Sequence, residues 1–315
     1  MIDRKIIAVF GATGAQGGGL VRAILADPQG GFAVRAITRD PTSAKALELA
    51  RLGAEVVAAD VDDEASLIRA LSGAYGAYFV TFFWDHFSPE KEGAQVAAMA
   101  HAAKVVGLKH AIWSTLEDTR KWVPLSDERM PTLMGKYKVP HFDAKGESDA
   151  RFIEAGVPTT FLLTAFYWDN FIHFGMGPKQ GEDGRWTLAL PMADQPLSGI
   201  AAEDIGRCAY GVFKLGDAAI GKTIGIAGGH LTGAQMAAEF SRVLGKAVTY
   251  VAPTAAQYRG FGFPGAEDLG NMFQFYTEFA DYFSGVRPVE GSRALNPKLK
   301  SFSQWLEANA SHFDK

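Results

Sequence analysis

Apolar residues in the first half of the chain fall in short runs, at residues 5–10, 32–38, 55–59, 77–81 and 111–114. Each run is bounded by turn residues and has the near-continuous apolar character of a strand buried on both faces. Between the runs, apolar positions recur at helical spacing over 18–25, 43–52, 63–71 and 89–106. A further helix pattern at 141–154 leads into a strand pattern at 159–163. Strand and helix alternating in this way predict right-handed crossovers and an α/β fold with a doubly wound parallel sheet.

The second half is less regular. Turn-rich segments such as "GMGPKQGEDG" precede a helix pattern at 203–215, a strand at 223–227, a helix at 232–244, the strand "AVTYVA" and a helical tail. We therefore expect a first unit over 1–164, with returning segments around 198–230, and a smaller α+β unit over 165–315. Residues 117–139 form a polar, proline-containing stretch with no period. A connection that long is usually functional or mobile, so it is a candidate lid.

Composition narrows the function classes. The chain has 315 residues, 48% hydrophobic and 21% charged, with a net charge of −4. Neither a nucleic-acid footprint nor a basic membrane-binding surface follows from that balance. The longest apolar stretch, "AYGAYFVTFFW", is too short to span a bilayer. The N-terminus lacks the pattern of a signal peptide, so a cytoplasmic protein is expected. The single Cys208 lies in an apolar-periodic run and reads as a small buried hydrophobe. The histidines have no metal-site spacing, and no metal is expected.

The strongest local signal is "KIIAVFGATGAQGGG". A strand runs into Gly11-x-x-Gly14-x-x-Gly17 and then into a helix. Gly11 and Gly14 allow a tight turn against a pyrophosphate, Gly17 lets helix and strand pack closely, and the helix N-terminus offers free N–H groups. This is the first strand–helix turn of a Rossmann pattern, the context such a motif requires. The second strand ends in "TRDP", placing Arg39 where a cation would meet the 2′-phosphate of NADP(H); the plainer reading pairs Arg39 with Asp40. After the third strand, Asp60 and Val61 would meet the adenine, and Asp62 or Asp63 would cap the next helix. After the fourth, Thr81, Phe82 and Phe83 would lie along the middle of the cofactor.

With those residues in place, the chain resembles the NmrA-like family of atypical short-chain dehydrogenase/reductases. "VFGATGAQGG", "TRDP", "WSTLED", "HFDAKGE", "FYWDN" and "GFPGAEDLGNMFQFY" carry the resemblance across most of the chain. It implies NADP(H) binding through Gly11, Ala12, Thr13, Gly14, Ala15 and Gln16, then Arg39, Asp60, Val61, Thr81, Phe82, Phe83 and Lys145. Tyr167, Trp168, Asp169 and Asn170 complete the implied set. One departure is Ala94, where sensor-type members carry a cofactor-facing lysine. The family includes transcriptional co-regulators that sense NADPH/NADP through protein partners, and the wider group includes quinone and isoflavone-type reductases.

Related dehydrogenases combine Ser with Tyr-x-x-x-Lys. Here Ser114 ends the fifth strand, and the following helix carries His141-x-x-x-Lys145, on one face. His141 could act as general acid, although Lys145 and the helix N-terminus both oppose a positive charge on it. Alternatively, Lys145 clamps ribose hydroxyls and His141 only packs. The blandest reading makes both surface groups. Tyr210-x-x-x-Lys214 lies on a different helix and reads as packing plus a C-terminal cation. "GDAAIGKT" fits a phosphate-loop pattern but follows a helix and opens a strand, so it is rejected. The aromatic run 166–171, with Phe82, Phe83 and Trp84, would wall the nicotinamide end and suit quinones or hydrophobic carbonyls. The expected function is an NADP(H)-binding redox-sensing regulator with a protein partner. The alternative is an NADPH-dependent reductase of small hydrophobic substrates using His141 and Lys145. A homodimer is the candidate assembly.

Overall fold

Side chains of the central strands alternate between two cores. Ile7 and Val9 go to one face, Ala8 and Phe10 to the other; Tyr78 opposes Ala77 and Phe79, and Ile112 opposes Ala111 and Trp113. Both faces are apolar, so these strands need helices on both sides. The computed structural model describes residues 4–313. It has β1 (Lys5–Val9), α1 (Ala15–Leu25), β2 (Phe32–Thr38), α2 (Ala44–Arg51), β3 (Glu55–Ala58), α3 (Glu64–Leu71), β4 (Gly76–Phe79), α4 (Pro89–Val105), β5 (His110–Thr115), α5 (Pro140–Ala155) and β6 (Thr159–Leu163). These are the predicted elements, with ends shifted by a few residues.

The chain continues through β7 (Phe166–Tyr167), α6 (Asn170–His173), β8 (Lys179–Gln180), β9 (Trp186–Ala189), β10 (Leu197–Ile200), α7 (Ala202–Leu215), β11 (Thr223–Gly225), β12 (Gly229–Leu231), α8 (Gly233–Leu244) and β13 (Val248–Val251). It ends in α9 (Ala255–Arg259), α10 (Ala266–Glu278), α11 (Ala280–Gly285), α12 (Val289–Leu295) and α13 (Phe302–Asn309). The main sheet has seven strands in the order β11-β6-β5-β4-β1-β2-β3, all parallel. Order reverses between β1 and β4, the switch point at which such sheets bind ligands. Two three-stranded sheets, β12-β10-β7 and β13-β9-β8, belong to the second half. The rejected phosphate-loop match forms a short 3₁₀ turn between α7 and β11. Cys208 is buried.

Residues from α1, α2 and α7 line one core, and residues from α3, α4 and α5 line the other. A third core joins α8, α10 and α13 to Val123, Met130 and Phe142. Among the described residues, no helix is long and apolar enough to cross a membrane, and no acidic, His or Cys cluster could hold a metal.

Glycines set the distance between α1 and α7. A Cβ on Gly19 would lie 2.3 Å from the Glu203 carbonyl oxygen, and one on Gly206 would lie 2.1 Å from the Leu20 nitrogen. Backbone faces backbone, so no side chain can yield. Gly206→Ala is predicted to destabilise the chain by about 1–3 kcal/mol, the usual cost of overpacking. Chemical denaturation would read this as a lower midpoint at unchanged slope; an unchanged midpoint would refute the close approach.

Candidate cofactor and active site

The glycine loop has the geometry its sequence predicts. Gly11 sits at φ +61, and a Cβ there would meet Val80 Cγ1 at 3.0 Å. A Cβ on Gly17 would lie 2.4 Å from the Gly11 carbonyl oxygen. Helix α1 begins at Gly14 with no side-chain cap and no acid in its first turn. By contrast, Ser43, Asp63 and Ser88 cap α2, α3 and α4. The N–H groups of α1 thus remain available to an anion.

Gln16 goes inward. Its Oε1 accepts hydrogen bonds from Tyr78 and, at 2.8 Å, from Ser114, while its Nε2 donates to Tyr167. Burial pushes the Tyr167 phenol up to about 12 and raises Tyr78 further, so both remain protonated. Strand alternation explains Ser114: it shares a face with Tyr78 and Ile112, toward α1. Lys145 approaches from α5, which packs on the other face. The expected Ser114–His141–Lys145 grouping is therefore divided, and Ser114 is engaged with Gln16.

Lys145 meets the end of β4. Its Nζ donates to Glu92 Oε1 at 2.6 Å, to Thr81 Oγ1 at 2.7 Å and to the Thr81 carbonyl at 3.3 Å. It also lies 5.3 Å from the centre of the Trp113 ring. Glu92 is fully buried, and its Oε2 has no partner among the described residues. Sequence reasoning examined Ala94 on this helix and missed Glu92, two residues earlier. The signal was a carboxylate in the first turn of α4.

His141 is also buried, with its ring 4.8 Å from that of Trp84 and 6.0 Å from that of Phe83. Asp268, at the start of α10, holds it twice. Asp268 Oδ1 lies 2.6 Å from His141 Nδ1, and Oδ2 accepts the His141 backbone N–H at 3.2 Å. This contact places the proton on Nδ1 and leaves Nε2 as the other ring nitrogen. Neither His141 nor Lys145 is a loose surface group. Each expected cation has a carboxylate that sequence reading did not supply.

The candidate lid 117–139 is tied down. Asp143, fully buried on α5, accepts from the Thr119 N–H (2.7 Å) and hydroxyl (2.6 Å) and from the N–H groups of Lys138 (2.7 Å) and Val139 (3.1 Å). Glu117 forms a bidentate pair with buried Arg287 at 2.7 and 2.9 Å. Asn271 donates to the carbonyls of Pro131 and Lys138, and Val123 and Met130 sit in the third core. A Cβ on Gly146 would lie 2.3 Å from the Asp118 nitrogen, so this glycine admits the segment against α5.

The outer candidates divide. Arg39 pairs with Asp85 at 3.4 Å rather than with Asp40, which accepts from Thr42. Asp60 Oδ1 accepts the Asp62 N–H at 3.0 Å, and Asp63 caps α3. Val61 is half-buried and Phe82 exposed. The expected aromatic wall is corrected: Phe83, Phe166, Trp168 and Phe171 are buried, and Trp168 packs on Phe302 and Trp305. Alternation after β7 turns Tyr167 toward Gln16 and Trp168 into the core. Asp169 accepts the first N–H of α7, from Ala202, at 2.8 Å, and Asn170 opens α6. Tyr210 and Lys214 both meet Asp27, on the α1 side and away from Lys145.

The sequence model of the NmrA-like family matches residues 3–306. The chain belongs to the NmrA-like family. An NmrA-like oxidoreductase of Cladobotryum is 30% identical over 320 residues, covering 93% of this chain and 90% of that one. An NAD(P)H azoreductase of Xenophilus azovorans is 27% identical over 316 residues, covering 98% and 99%. The crystal structure of NmrA, a negative transcriptional regulator, in complex with NADP superimposes with a TM-score of 0.78 at 24% identity, over 97% of this chain and 95% of that one. That regulator was also crystallised with NAD.

Behind Lys145, Asp149 accepts from the Thr115 hydroxyl at 2.6 Å and the Trp113 indole at 3.0 Å. Burial pushes its carboxyl from 3.8 up to about 7, against those two hydrogen bonds. The native state therefore holds this proton more tightly than the unfolded chain does. The contribution is neutral below about pH 4, costs stability as pH rises toward 7, and then levels off. Asp149→Asn keeps the acceptor and removes the charge. Its melting temperature is predicted to match wild type near pH 4 and exceed it at pH 8; a difference constant with pH would refute the assignment.

Proposed function

We propose that this chain is an NAD(P)H-dependent reductase of flat, apolar acceptors, with His141 delivering a proton and Lys145 holding the nicotinamide-side ribose. The fit to a dinucleotide rests on the glycine cradle, which side chains would fill, and on the uncapped start of α1. Backbone groups of Gly11, Ala12, Thr13, Gly14, Ala15 and Gln16 would hold the pyrophosphate. Asp60 and Val61 would flank the adenine, with Arg39 at the 2′ position. When bound, the dinucleotide supplies a hydride.

The observation that carries the reading is the two-point hold of Asp268 on His141. A buried histidine needs a partner for its ring N–H in any case, but the second contact, to its backbone, also fixes which way the ring faces. A histidine that transfers a proton needs that, because the transferring nitrogen must face the acceptor. Nε2 takes that role here from the doubly protonated ring: it gives its proton to the acceptor, and the proton on Nδ1 stays with Asp268. Lys145, balanced by Glu92, works as a positioned hydrogen-bond donor more than as a net charge. Trp84 and Phe87 form an aromatic edge beside the histidine, Trp84 lying 4.8 Å from the His141 ring and 5.5 Å from that of Phe87, and a Cβ on Gly265 would come within 2.9 Å of Trp84. Such an edge suits quinone, azo or hydrophobic carbonyl acceptors better than sugars. The Xenophilus relative is named an NAD(P)H azoreductase, and the Cladobotryum relative an oxidoreductase. The regulatory reading draws on likeness of fold alone.

The test is NADPH oxidation with a panel of quinones and azo compounds. His141→Phe combined with Asp268→Asn, which preserves ring packing without stranding a buried carboxylate, is expected to lower kcat about a hundredfold or more with little change in cofactor binding. Lys145→Ala would strand the Glu92 carboxylate in the core, so Glu92→Gln/Lys145→Met is the cleaner variant. It should weaken NADPH binding about tenfold to a hundredfold. A wild-type chain that binds NADPH but reduces no acceptor would sink the reductase and favour the regulator.

A further inference from the structure

We propose that Asp85 is a cofactor-specificity residue that restrains preference for a 2′-phosphorylated dinucleotide by competing for Arg39. The proposal rests on the dinucleotide reading above. Arg39 is the cation that the end of β2 offers to a 2′-phosphate, and its guanidinium lies 3.4 Å from the Asp85 carboxylate. Its sequence neighbour Asp40 is engaged with Thr42.

Asp85 is presented by a braced turn. It closes the 3₁₀ turn Phe83–Asp85, whose first ring is buried and whose second packs on His141. Phe87, just beyond, holds a left-handed backbone at φ 52, and a Cβ on Gly265 would approach its ring to 3.4 Å. Packing of Phe83 and Trp84 thus fixes the backbone that presents the half-exposed carboxylate, and Arg39 meets it. A phosphate arriving at Arg39 meets an anion already on the same group, and like charges oppose each other. A 2′-hydroxyl is uncharged and meets no such opposition. The nearby rim has the same sign: Asp60 and Asp62 follow β3, with Lys91 balancing Asp62 at 3.1 Å. An arginine at this position alone would predict strong NADP(H) preference; with Asp85 in place, both dinucleotides become usable.

The test is a fluorescence titration of NADPH and NADH against the full chain. It compares wild type, Asp85→Asn, Asp85→Ala, and each of these combined with Arg39→Ala. Both single Asp85 variants are expected to bind NADPH about threefold to tenfold more tightly, the scale of an exposed charge pair plus one repulsion, while NADH stays within about twofold of wild type. The gain should vanish in the Arg39→Ala background. An unchanged NADPH-to-NADH ratio in both Asp85 variants, with wild type binding either dinucleotide, overturns the proposal and leaves the dinucleotide reading standing. Wild type binding neither dinucleotide overturns both.

Discussion

Asp143 is the contact on which the candidate site depends. It is a fully buried carboxylate between His141 and Lys145 on α5, and it receives hydrogen bonds from both ends of the 117–139 segment. A buried carboxylate without such donors would be too costly to keep in the core. With them, it fastens the long connection to the helix it precedes and fixes where that helix starts. Burial still raises the Asp143 carboxyl above its ordinary range, so the donors offset only part of the desolvation. The orientation of His141 and Lys145 follows from that start, because both lie within its first turns.

Two acid–base pairs then stand along one face of α5. Glu92 reaches Lys145 from α4, and Asp268 reaches His141 from α10. One pair ties the helix to the parallel sheet, the other to the second half. Each pair keeps a polar group oriented, and Glu92 offsets the charge of Lys145. That balance matters in a low dielectric, where an unpaired charge would distort the chemistry of its neighbours.

The sheet and its helices were legible in the sequence because their signals are local. Near-continuous apolar runs mark β1, β4 and β5, and a glycine-rich turn marks the start of α1. Positions at the strand ends, such as Arg39, Asp60 and Thr81, could be placed for the same reason: a strand end is a position in sequence. Partners distant in sequence could not. Glu92 stands 53 residues from Lys145, Asp268 127 from His141, and Arg287 170 from Glu117. No periodicity spans such separations. The packing of 117–139 was hidden for the same reason, since its hydrogen bonds go to α5 and α10 and leave no local pattern. Trp168 was misplaced by a single step, because one residue after β7 turns a side chain from the cleft to the core.

The same geometry bears on the choice between sensing and catalysis. Both need the glycine loop, the ribose-holding lysine and a cleft at the β1/β4 switch point. A sensor would need nothing more at the nicotinamide end than a surface whose shape changes with the bound dinucleotide. On the proposed placement of the dinucleotide, that end has a histidine with one nitrogen fixed, rings on one side, and a carboxylate reached from 127 residues away. Asp268 comes from α10, whose own packing is with the second half. Holding the histidine therefore constrains how the second half meets the sheet. An arrangement with that much of the fold directed at one imidazole is better explained by the need to place a proton than by the need to fill space, which an aromatic residue at position 141 would do without burying a carboxylate.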